Sequence, residues 1–578
     1  MVTYADRPWT NTYDKGVPKT VEYPNQPLHH FLKDSAQRIP NNIALVTSAE
    51  IPIAGRLANN TTYAELDQLS DSLAVELINL GLKKGDRVAI VMPNSVAFVI
   101  SFYAILKAGG VVAATNPTYP REKMQYQLDD CDAEIVICLT LFYDLVKQIQ
   151  PKTKVKHVIV ANIKEYLPPV AKILFSLAKE KKGGHYLESL KSGDHWFQDV
   201  LKKNAGKKPN VDVGKDDLAL FQYTGGTTGV SKAAMATHGA LVANTLQQNA
   251  VLSIDGIPGE SETFLGAIPM FHVFGMVAVL SVAIHIGAKI VLVPNPREIN
   301  DVIGAVGKFQ PTLFHGVPAL YNAINNHPDV KSGKVSLRSI RGCLSGSAPL
   351  PPSTKIEFER LSGGRLMEGF GMSEAPTATH VNPLKGENRT GSIGLPLPDM
   401  DMKIVSLDDG ETELPIGEAG ELLMHGPQLM RGYHKMPTET ANTLRELDGK
   451  LWLYTGDIAR MDDDGYFYIV DRKKDMALIG GFNVYPNAVE KAIKDHPAVL
   501  EVGVASVPHP EKVGQEALKA WVVLLEGQSV TTEELIKHCE GKLAQYEIPR
   551  RISFIDELPK SAVGKTLRRE LIRLENES

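Results

Sequence analysis

A glycine- and threonine-rich stretch carries the strongest chemical signal in the sequence, Tyr223-Thr-Gly-Gly-Thr-Thr-Gly-Val-Ser-Lys232. It follows an apolar run, Leu218 to Phe221, and precedes an expected helix from His238. Glycines let backbone N–H groups converge on a phosphate without Cβ clashes, threonine hydroxyls add hydrogen bonds, and Lys232 supplies positive charge. A Walker A loop requires glycine before the lysine, whereas Ser231 stands there. The pattern predicts a phosphate-binding loop that differs from that of P-loop NTPases.

Six further short motifs follow this loop in chain order. They combine glycines, hydroxyl side chains, carboxylates and cations, the residue types that bind nucleotides and other anions. They are Pro269-Met-Phe-His-Val-Phe-Gly275, Ser345-Gly-Ser-Ala-Pro-Leu350, Gly369-Phe-Gly-Met-Ser-Glu374, Tyr454-Thr-Gly-Asp457, Asp471-Arg-Lys-Lys-Asp475 and Pro559-Lys-Ser-Ala-Val-Gly-Lys565. Together with the loop they resemble the signatures of the adenylate-forming superfamily, which comprises acyl- and aryl-CoA ligases, amino-acid adenylation domains and firefly luciferase. The resemblance extends from about Thr62 to Lys565 and is strongest to bacterial long-chain fatty-acid–CoA ligases.

The resemblance implies a ligase reaction in two steps. A fatty-acid carboxylate attacks the α-phosphate of ATP, which gives acyl-AMP and pyrophosphate, and the acyl group then passes to CoA with release of AMP. A carboxylate alone resists nucleophilic attack because its own charge opposes the nucleophile and oxide is a poor leaving group. The site must therefore hold two anions together, which requires cationic and dipolar compensation and Mg²⁺.

The resemblance also assigns the nucleotide-binding residues. Thr224 and Glu374 would bind Mg²⁺ or phosphate, and Glu374 would also be a catalytic residue. Asp457 would accept hydrogen bonds from the ribose hydroxyls, since an ionised carboxylate is an acceptor only, and Arg472 would contact the ribose. The set for the ATP phosphates is Thr224, Gly225, Gly226, Thr227, Thr228, Gly229 and Lys232. The set for adenine and AMP also includes Gly346, Ser347, Ala348, Gly369, Phe370 (where tyrosine is usual), Gly371, Met372 and Ser373.

Catalysis and acyl transfer depend on further residues that the resemblance identifies. Lys565 would bridge the acid carboxylate and the α-phosphate as negative charge builds, a task that suits a compact ammonium group. His272 would order the acid pocket, although a lone histidine on an apolar segment is also typical of a buried core residue. After adenylation the C-terminal domain would swing at Lys474. That motion would withdraw Lys565 and present Gly480 and Gly481, where the absence of Cβ lets the pantetheine arm of CoA pass.

The sequence predicts the type of reaction more precisely than it predicts which acid is activated. Residues 267–283 are rich in alanine, valine, methionine and glycine and would accept a fatty chain, held by burial at ~0.8 kcal/mol per methylene. The same pocket would accept a medium chain or an aromatic acid such as coumarate, and a carrier-protein thiol is an alternative acceptor. Ala233 and Ala236 replace the glycine and leucine usual in the family. A non-catalytic protein that binds nucleotide and lipid is the remaining alternative, against which Glu374 and Lys565 argue.

Strands and helices that would position the motifs alternate along the first half of the chain. Such alternation indicates right-handed βαβ units around a parallel sheet. The expected elements are a strand at Arg87–Met92, a helix at Asn94–Lys107, a strand at Gly109–Ala114, a helix at Arg121–Asp130 and strands at Glu134–Cys138, Lys289–Val293 and Thr312–His315. Beyond about Pro396, crowded turn signals between short alternating strands predict a smaller antiparallel part that resembles a barrel.

The predicted fold class is therefore α/β. A large N-terminal domain, residues 1–470, would combine doubly wound mixed sheets with a small β-barrel subdomain at about 396–470. Residues 471–475 would form a hinge, and residues 476–578 a small, mobile α+β lid.

Composition narrows the cellular setting. The 578 residues carry a net charge of −5, so no global basic field favours nucleic acid. Four cysteines form neither a disulfide framework nor a zinc-ligand pattern, which favours a reducing compartment. The polar N-terminus shows no secretory signal, and no run reaches the ~18 to 20 apolar residues of a spanning helix. These features predict a cytoplasmic protein.

Residues 150–208 are a local exception in charge. They hold thirteen lysines, no arginine and five acids, a net charge of +8. After Pro168-Pro169, apolar residues recur at helical spacing among the lysines, which is typical of an interfacial helix on anionic lipid at the inner face of a membrane. The alternative is a surface excursion whose apolar stripe packs on its own domain. The sequence leaves the oligomeric state open, with a homodimer as one alternative.

Overall fold

The computed structural model describes residues 3–51, 54–224, 231–253, 256–479, 482–509, 516–561 and 566–577. The chain divides into two compact units. One unit comprises Tyr13–Met400 and Gly426–Asn442, and the other comprises Met1–Thr12, Asp401–His425 and Thr443–Ser578. The α/β fold class is confirmed. The hinge at residues 471–475 and the domain boundaries around it stay predictions.

Two large sheets form the unit that contains Tyr13–Met400. The first has seven strands, parallel except for the last pair. In spatial order they are His195–Trp196, His157–Ala161, Ile135–Leu139, Arg87–Val91, Val111–Thr115, Leu218–Thr224 and Lys232–Thr237. Parallel neighbours need a crossover connection, and the helices between these strands confirm the predicted βαβ units.

The second sheet has nine strands of mixed direction. In spatial order they are Leu395–Pro396, Ala375–Val381, Arg365–Met372, Gly342–Ser345, Leu313–Gly316, Thr263–Gly266, Lys289–Leu292, Ile43–Ile51 and Gly55–Thr62. The central strands pair in parallel, whereas the pairs at both ends are antiparallel. Strands in the centre are buried along their length, which explains why most of their residues are apolar.

Helices connect the strands of both sheets. The α-helices are His30–Arg38, Tyr63–Asn79, Val96–Lys107, Arg121–Asp130, Thr140–Ile149, Pro169–Ala178, Phe197–Lys203, His238–Leu252, Val282–Ile286, Ile299–Phe309, Pro318–Asn326, Pro328–Lys331, Pro352–Ser362 and Pro437–Thr443. A 3₁₀ turn spans Ile163–Tyr166 and a π-helix spans Phe274–Ser281. Across the described ranges, no helix combines the length and the hydropathy that a membrane span requires.

One helix start that the sequence predicts is wrong. The helix begins at Val96, not at Asn94, because the Ser95 hydroxyl accepts a hydrogen bond from the Phe98 N–H at 3.1 Å and caps it. Asn94 lies before the helix, and its amide donates instead to the carbonyl oxygen of Gly266 at 2.9 Å. Both residue types are good N-caps, so only the tertiary structure decides which one caps the helix.

The other unit contains smaller, mostly antiparallel sheets. Its five-stranded sheet consists of Asp401–Val405, Gly420–His425, Leu444–Leu447, Lys450–Met461 and Phe467–Arg472. A two-stranded sheet pairs Ala477–Ile479 with Phe482–Val484, and a three-stranded sheet contains Val499–Pro508, Glu516–Leu524 and Arg551–Phe554. Its helices are Pro486–Lys494, Thr532–Cys539 and Arg568–Glu577. The predicted change to antiparallel strands beyond Pro396 is confirmed.

Candidate active site

Three of the predicted motifs lie at one edge of the nine-stranded sheet. Two of them lie after the strands Thr263–Gly266 and Gly342–Ser345, and the third spans the end of Arg365–Met372. With Leu313–Gly316 these strands form a run of parallel neighbours. The carboxyl ends of parallel strands meet at one edge, where ligands of α/β proteins bind. The structure thus brings together segments 269–275, 346–350 and 369–374, which hold the predicted acid-binding and adenine-binding residues.

Glycines in the two predicted adenine loops allow one close backbone approach and one tight side-chain contact. A Cβ on Gly371 would lie 1.6 Å from the carbonyl oxygen of Thr377, and a Cβ on Gly346 would lie 3.3 Å from the ring of Phe274. Only glycine allows the first approach, and the second places the adenine loop against the acid-binding segment. The other predicted residues of these loops are half-buried, namely Ser347, Ala348, Gly369, Phe370, Met372 and Ser373.

Glu368 is a buried acid at this edge that the sequence motifs did not identify. Its Oε1 accepts a hydrogen bond from the Leu350 N–H at 3.3 Å, which ties one loop to the neighbouring strand. Burial raises its pKa to about 7. The available signal was a charged residue at the end of an apolar strand, because such residues are seldom buried without a specific role.

His272 lies in the predicted acid-binding segment and is half-buried. Its Nδ1 accepts a hydrogen bond from the Phe274 N–H at 3.2 Å, and burial lowers the pKa of the ring to about 4. The imidazole is therefore neutral near pH 7 and carries its proton on Nε2, where it can donate. Asn94 fixes the start of the segment, because its Oδ1 accepts from the Met270 N–H at 2.7 Å.

The apolar residues expected to receive the acyl chain are buried. All eight residues of the π-helix Phe274–Ser281 are buried, and π-helical turns are frequent at functional sites. A Cβ on Gly275 would lie 2.4 Å from the carbonyl oxygen of Pro269, so this position requires glycine. The Phe274 ring stacks on buried His315 with 6.3 Å between centroids. Neither ring nitrogen of His315 has a hydrogen-bond partner among the described residues. His315 is therefore, after His272, a second candidate for a polar contact with the substrate.

The predicted phosphate loop connects two strands of an antiparallel hairpin. Leu218–Thr224 precedes it and Lys232–Thr237 follows it, with Thr224 paired to Lys232. The second strand was not predicted, but the helix after it begins at His238 as expected. The remaining predicted loop residues lie outside the described part of the chain, namely Gly225, Gly226, Thr227, Thr228 and Gly229.

Lys232 and Glu374 converge on Tyr433, which the sequence motifs did not identify. The Lys232 Nζ lies 5.4 Å from the centre of the Tyr433 ring and forms an ion pair with Glu439. The Tyr433 hydroxyl donates to Glu374 Oε1 at 2.7 Å. Tyr433 reaches this position because its backbone pairs with Ala234 of the hairpin. The sequence carried only a weak indication of this role, a Gly432-Tyr433 pair shortly before a helix with Glu439 in its first turn.

The donor set fits Mg²⁺ that arrives with a nucleotide. Thr224 and Glu374 offer oxygen atoms, and Mg²⁺ is usually held by one or two carboxylates together with substrate phosphates. No cluster of three or more histidine, cysteine, aspartate or glutamate side chains with metal-binding geometry occurs in the described ranges. When bound, the ion would supply charge compensation for the phosphates.

In the other unit, Asp457 and Arg472 pair across two antiparallel strands. The Arg472 Nε donates to Asp457 Oδ1 at 2.9 Å, and the Asp457 residue is 2% exposed. Asp457 Oδ2 is buried without a hydrogen-bond partner among the described residues. An unsatisfied buried acceptor costs free energy, and a ribose hydroxyl would satisfy it. Gly456 turns the strand beside it at a φ of +68°, a left-handed conformation that favours glycine.

Lys474, the predicted hinge residue, is exposed in the turn that follows Phe467–Arg472. Arg568 holds the end of this turn, because its Nη1 lies 2.9 Å from Asp475 Oδ2 and its Nη2 lies 2.8 Å from Glu490 Oε1. The hinge role of Lys474 stays a prediction. Three predicted residues lie outside the described part of the chain, namely Gly480, Gly481 and Lys565.

Known sequences match the chain over most of its length. The family profile described as AMP-binding enzyme matches residues 32–434, and the profile described as AMP-binding enzyme C-terminal domain matches residues 488–565. The long-chain-fatty-acid–CoA ligase of Bacillus subtilis (strain 168) is 40% identical over 579 residues, which cover 99% of each chain. The ligase of the same name from Escherichia coli O6:H1 is 36% identical and covers 97% of each chain.

Solved structures share the fold. ATP-bound MatB from Rhodopseudomonas palustris aligns with a TM-score of 0.81 at 28% identity, covering 96% of this chain and 99% of that one. The anthranilate–CoA ligase AuaEII in complex with anthranoyl-AMP aligns with a TM-score of 0.80 at 26% identity, covering 96% and 98%. The ordered motifs, the shared sheet edge and these matches identify the chain as a member of the adenylate-forming AMP-binding enzyme family.

Proposed function

We propose that this chain is an AMP-forming long-chain-fatty-acid–CoA ligase. It condenses a fatty acid with ATP to acyl-AMP and pyrophosphate, and then transfers the acyl group to CoA with release of AMP. The observation that carries the proposal is the 40% identity to a relative of that name across 99% of both chains. The buried π-helix Phe274–Ser281 beside His272 supports an apolar substrate, because burial is the main force that holds an aliphatic chain.

The described residues support a division of labour in adenylation. Lys232 exchanges its ion pair with Glu439 for the β- and γ-phosphates, and Glu374 binds Mg²⁺ or phosphate oxygens. His272 donates its Nε2 proton to an oxygen of the acid or of the adenylate, while the bare oxygen of Asp457 accepts from the ribose. Dipoles and charges fixed before the reaction stabilise developing charge without reorganisation.

An experiment that separates the two half-reactions tests the proposal. Lys565→Ala should lower pyrophosphate release from ATP and fatty acid by roughly 100- to 1,000-fold, because the ammonium group neutralises charge that builds in this step. Thioester formation from supplied acyl-AMP and CoA should stay within about two-fold of the wild-type rate. Lys560→Ala is a matched control, since Lys560 belongs to the same motif but pairs with Glu501 at 2.6 Å. Equal losses in both half-reactions would contradict the role of Lys565.

The acid and the acceptor require a separate panel of substrates. Fatty acids of graded length should be activated with increasing kcat/KM up to a long chain, because each buried methylene adds ~0.8 kcal/mol. Coumarate and medium-chain acids should be poorer, and CoA should be a better acceptor than a carrier-protein thiol. Preference for coumarate or for the carrier protein would favour the aryl or carrier alternative. Absence of pyrophosphate release with every acid would refute a ligase.

We also infer that the enzyme works at the cytoplasmic face of an anionic membrane through residues 150–208. The segment carries a net charge of +8 in a chain of −5, and lysines near anionic lipid are attracted to it. Flotation of the full-length protein with anionic vesicles tests this contact. Sedimentation velocity on the same preparation determines whether the chain also forms a homodimer.

A further inference from the structure

A short helix in the lysine-rich segment turns its apolar stripe away from the protein. Pro169–Ala178 carries Val170, Ile173, Leu174 and Leu177 at i, i+3, i+4 and i+7, the spacing of one helix face. These residues are 51%, 61%, 43% and 82% exposed, respectively. In a helix that packs on a core, this spacing faces inward. The alternative in which the stripe packs on its own domain is therefore wrong for these four residues.

The opposite face of the same helix is anchored. Ala171 is buried, and the Phe175 ring packs edge-on against His185 with 5.4 Å between centroids. Just beyond the helix, buried Glu180 accepts a hydrogen bond from the Asn162 amide at 2.9 Å. The exposed stripe thus belongs to a helix held in one orientation by contacts on its other side.

Four exposed lysines in or just after the helix carry positive charge near the stripe in the sequence. Lys172, Lys179, Lys181 and Lys182 are exposed, and within the described ranges none of them joins an ion pair. Glu180, the acid among them, is buried and paired with Lys164 at 2.6 Å, so it does not offset these lysines. An exposed aliphatic face on a lysine-rich helix is typical of a helix that lies in the plane of an anionic membrane. A second copy of the same face would be repelled by its lysines.

The turn that precedes the helix lies at a small cavity in the apolar interior. The preceding turn Ile163–Tyr166 lines a narrow cavity of about 20 Å³ between the two large sheets, together with Asn94 and Leu292. Asn94 in turn binds the backbone of the acid-binding segment at Met270.

We propose that Pro169–Ala178 is a membrane-docking helix. Val170, Ile173, Leu174 and Leu177 insert between the headgroups of an anionic phospholipid surface, and the positive charge of the exposed lysines attracts the helix to the lipid phosphates. This rests on the membrane contact proposed above for residues 150–208 and identifies the surface that makes it.

Vesicle binding of the full-length protein tests the proposal. With vesicles of phosphatidylcholine and phosphatidylglycerol, Ile173→Ser/Leu177→Ser should bind roughly ten-fold more weakly than wild type, and neither should bind phosphatidylcholine alone. The matched control is Ile356→Ser, since Ile356 is 67% exposed on a different helix, Pro352–Ser362. The control should bind like wild type. Unchanged binding of the serine double variant would overturn the proposal.

Further variants separate failure of the helix from failure of the wider contact. Loss of binding in Lys172→Glu/Lys179→Glu with full binding in the serine variant would overturn insertion but leave an electrostatic contact. A change of oligomeric state in the serine variant, with vesicle binding intact, would instead assign the face to a second copy. Leu177→Trp should show a blue shift of its fluorescence on anionic vesicles, and no shift would overturn insertion. Pyrophosphate release with a short, freely soluble acid should be unchanged in all helix variants. Its loss in a variant alone would mean that the variant is misfolded, whereas its absence in wild type as well would contradict the ligase proposal.

Discussion

Glu374 and Asp457, the two carboxylates expected to contact bound ATP, differ in burial and in their hydrogen-bond partners. Glu374 is half-buried and already accepts a hydrogen bond from the Tyr433 hydroxyl at 2.7 Å. Asp457 is almost fully buried, with one oxygen fixed by Arg472 at 2.9 Å and the other without a partner among the described residues. Glu374 is one member of a network of charged groups. Asp457 is a fixed hydrogen-bond acceptor, one oxygen of which has no donor among the described residues.

This difference indicates which interactions are exchanged and which are fixed in advance. Around Glu374, Lys232 already forms an ion pair with Glu439, which phosphates bound in the proposed way would have to replace. At Asp457 Oδ2 no hydrogen bond to a described residue has to break before a hydroxyl binds. Preorganised groups lose little free energy to reorganisation, whereas members of a network are coupled and their contributions are not additive.

The largest effect is expected at the networked carboxylate. Glu374→Gln should lower adenylation by roughly 100- to 1,000-fold, because a neutral amide is a poor Mg²⁺ ligand and removes charge compensation from the phosphates. Single-turnover pyrophosphate release over a range of Mg²⁺ concentrations measures it. The thermal midpoint should change little, since Glu374 is only half-buried. Activity within a few-fold of wild type would mean that this carboxylate does not meet the nucleotide.

A smaller loss is expected at the fixed acceptor. Asp457→Asn should raise the KM for ATP by roughly 10- to 100-fold, because hydrogen bonds to charged groups contribute about 1.5–3 kcal/mol. Wild type should discriminate against 2′- or 3′-deoxy-ATP, and the variant should not. Asp401→Asn is the control, because Asp401 pairs with the Arg7 Nε at 2.7 Å in the same unit but is not a predicted ligand. Equal discrimination by variant and wild type would exclude the ribose contact.

The smallest effect is expected at the residue that links the network. Tyr433→Phe should lower adenylation by about five-fold, the value of one hydrogen bond of about 1 kcal/mol, and should have no further effect in a Glu374→Gln background. Tyr23→Phe is a matched control, since its hydroxyl donates to Asp399 at 2.6 Å away from the predicted ligands. Additive losses in the double variant would show that Tyr433 acts independently of Glu374.

Local patterns in the sequence were sufficient for much of the scaffold. The strand from Arg87 and the helix Arg121–Asp130 lie where hydrophobic periodicity and turn residues place them. Local patterns could not decide where the next helix begins, because Asn94 and Ser95 are both good N-caps. Ser95 caps the helix, whereas the Asn94 amide donates a hydrogen bond to Gly266, which is distant in sequence. The strand Lys232–Thr237 was missed for a related reason, since its pairing partner rather than its own composition defines it.

By itself the sequence determined the order of the motifs, the α/β alternation and the family, because these are properties of residue type and spacing along the chain. Only the tertiary structure decided that Tyr433 bonds Glu374 across 59 residues, that one oxygen of Asp457 stays bare, and that the stripe around Leu177 faces outward. A helical period identifies an apolar face but not what covers it. Contacts between distant segments depend on how the whole unit packs.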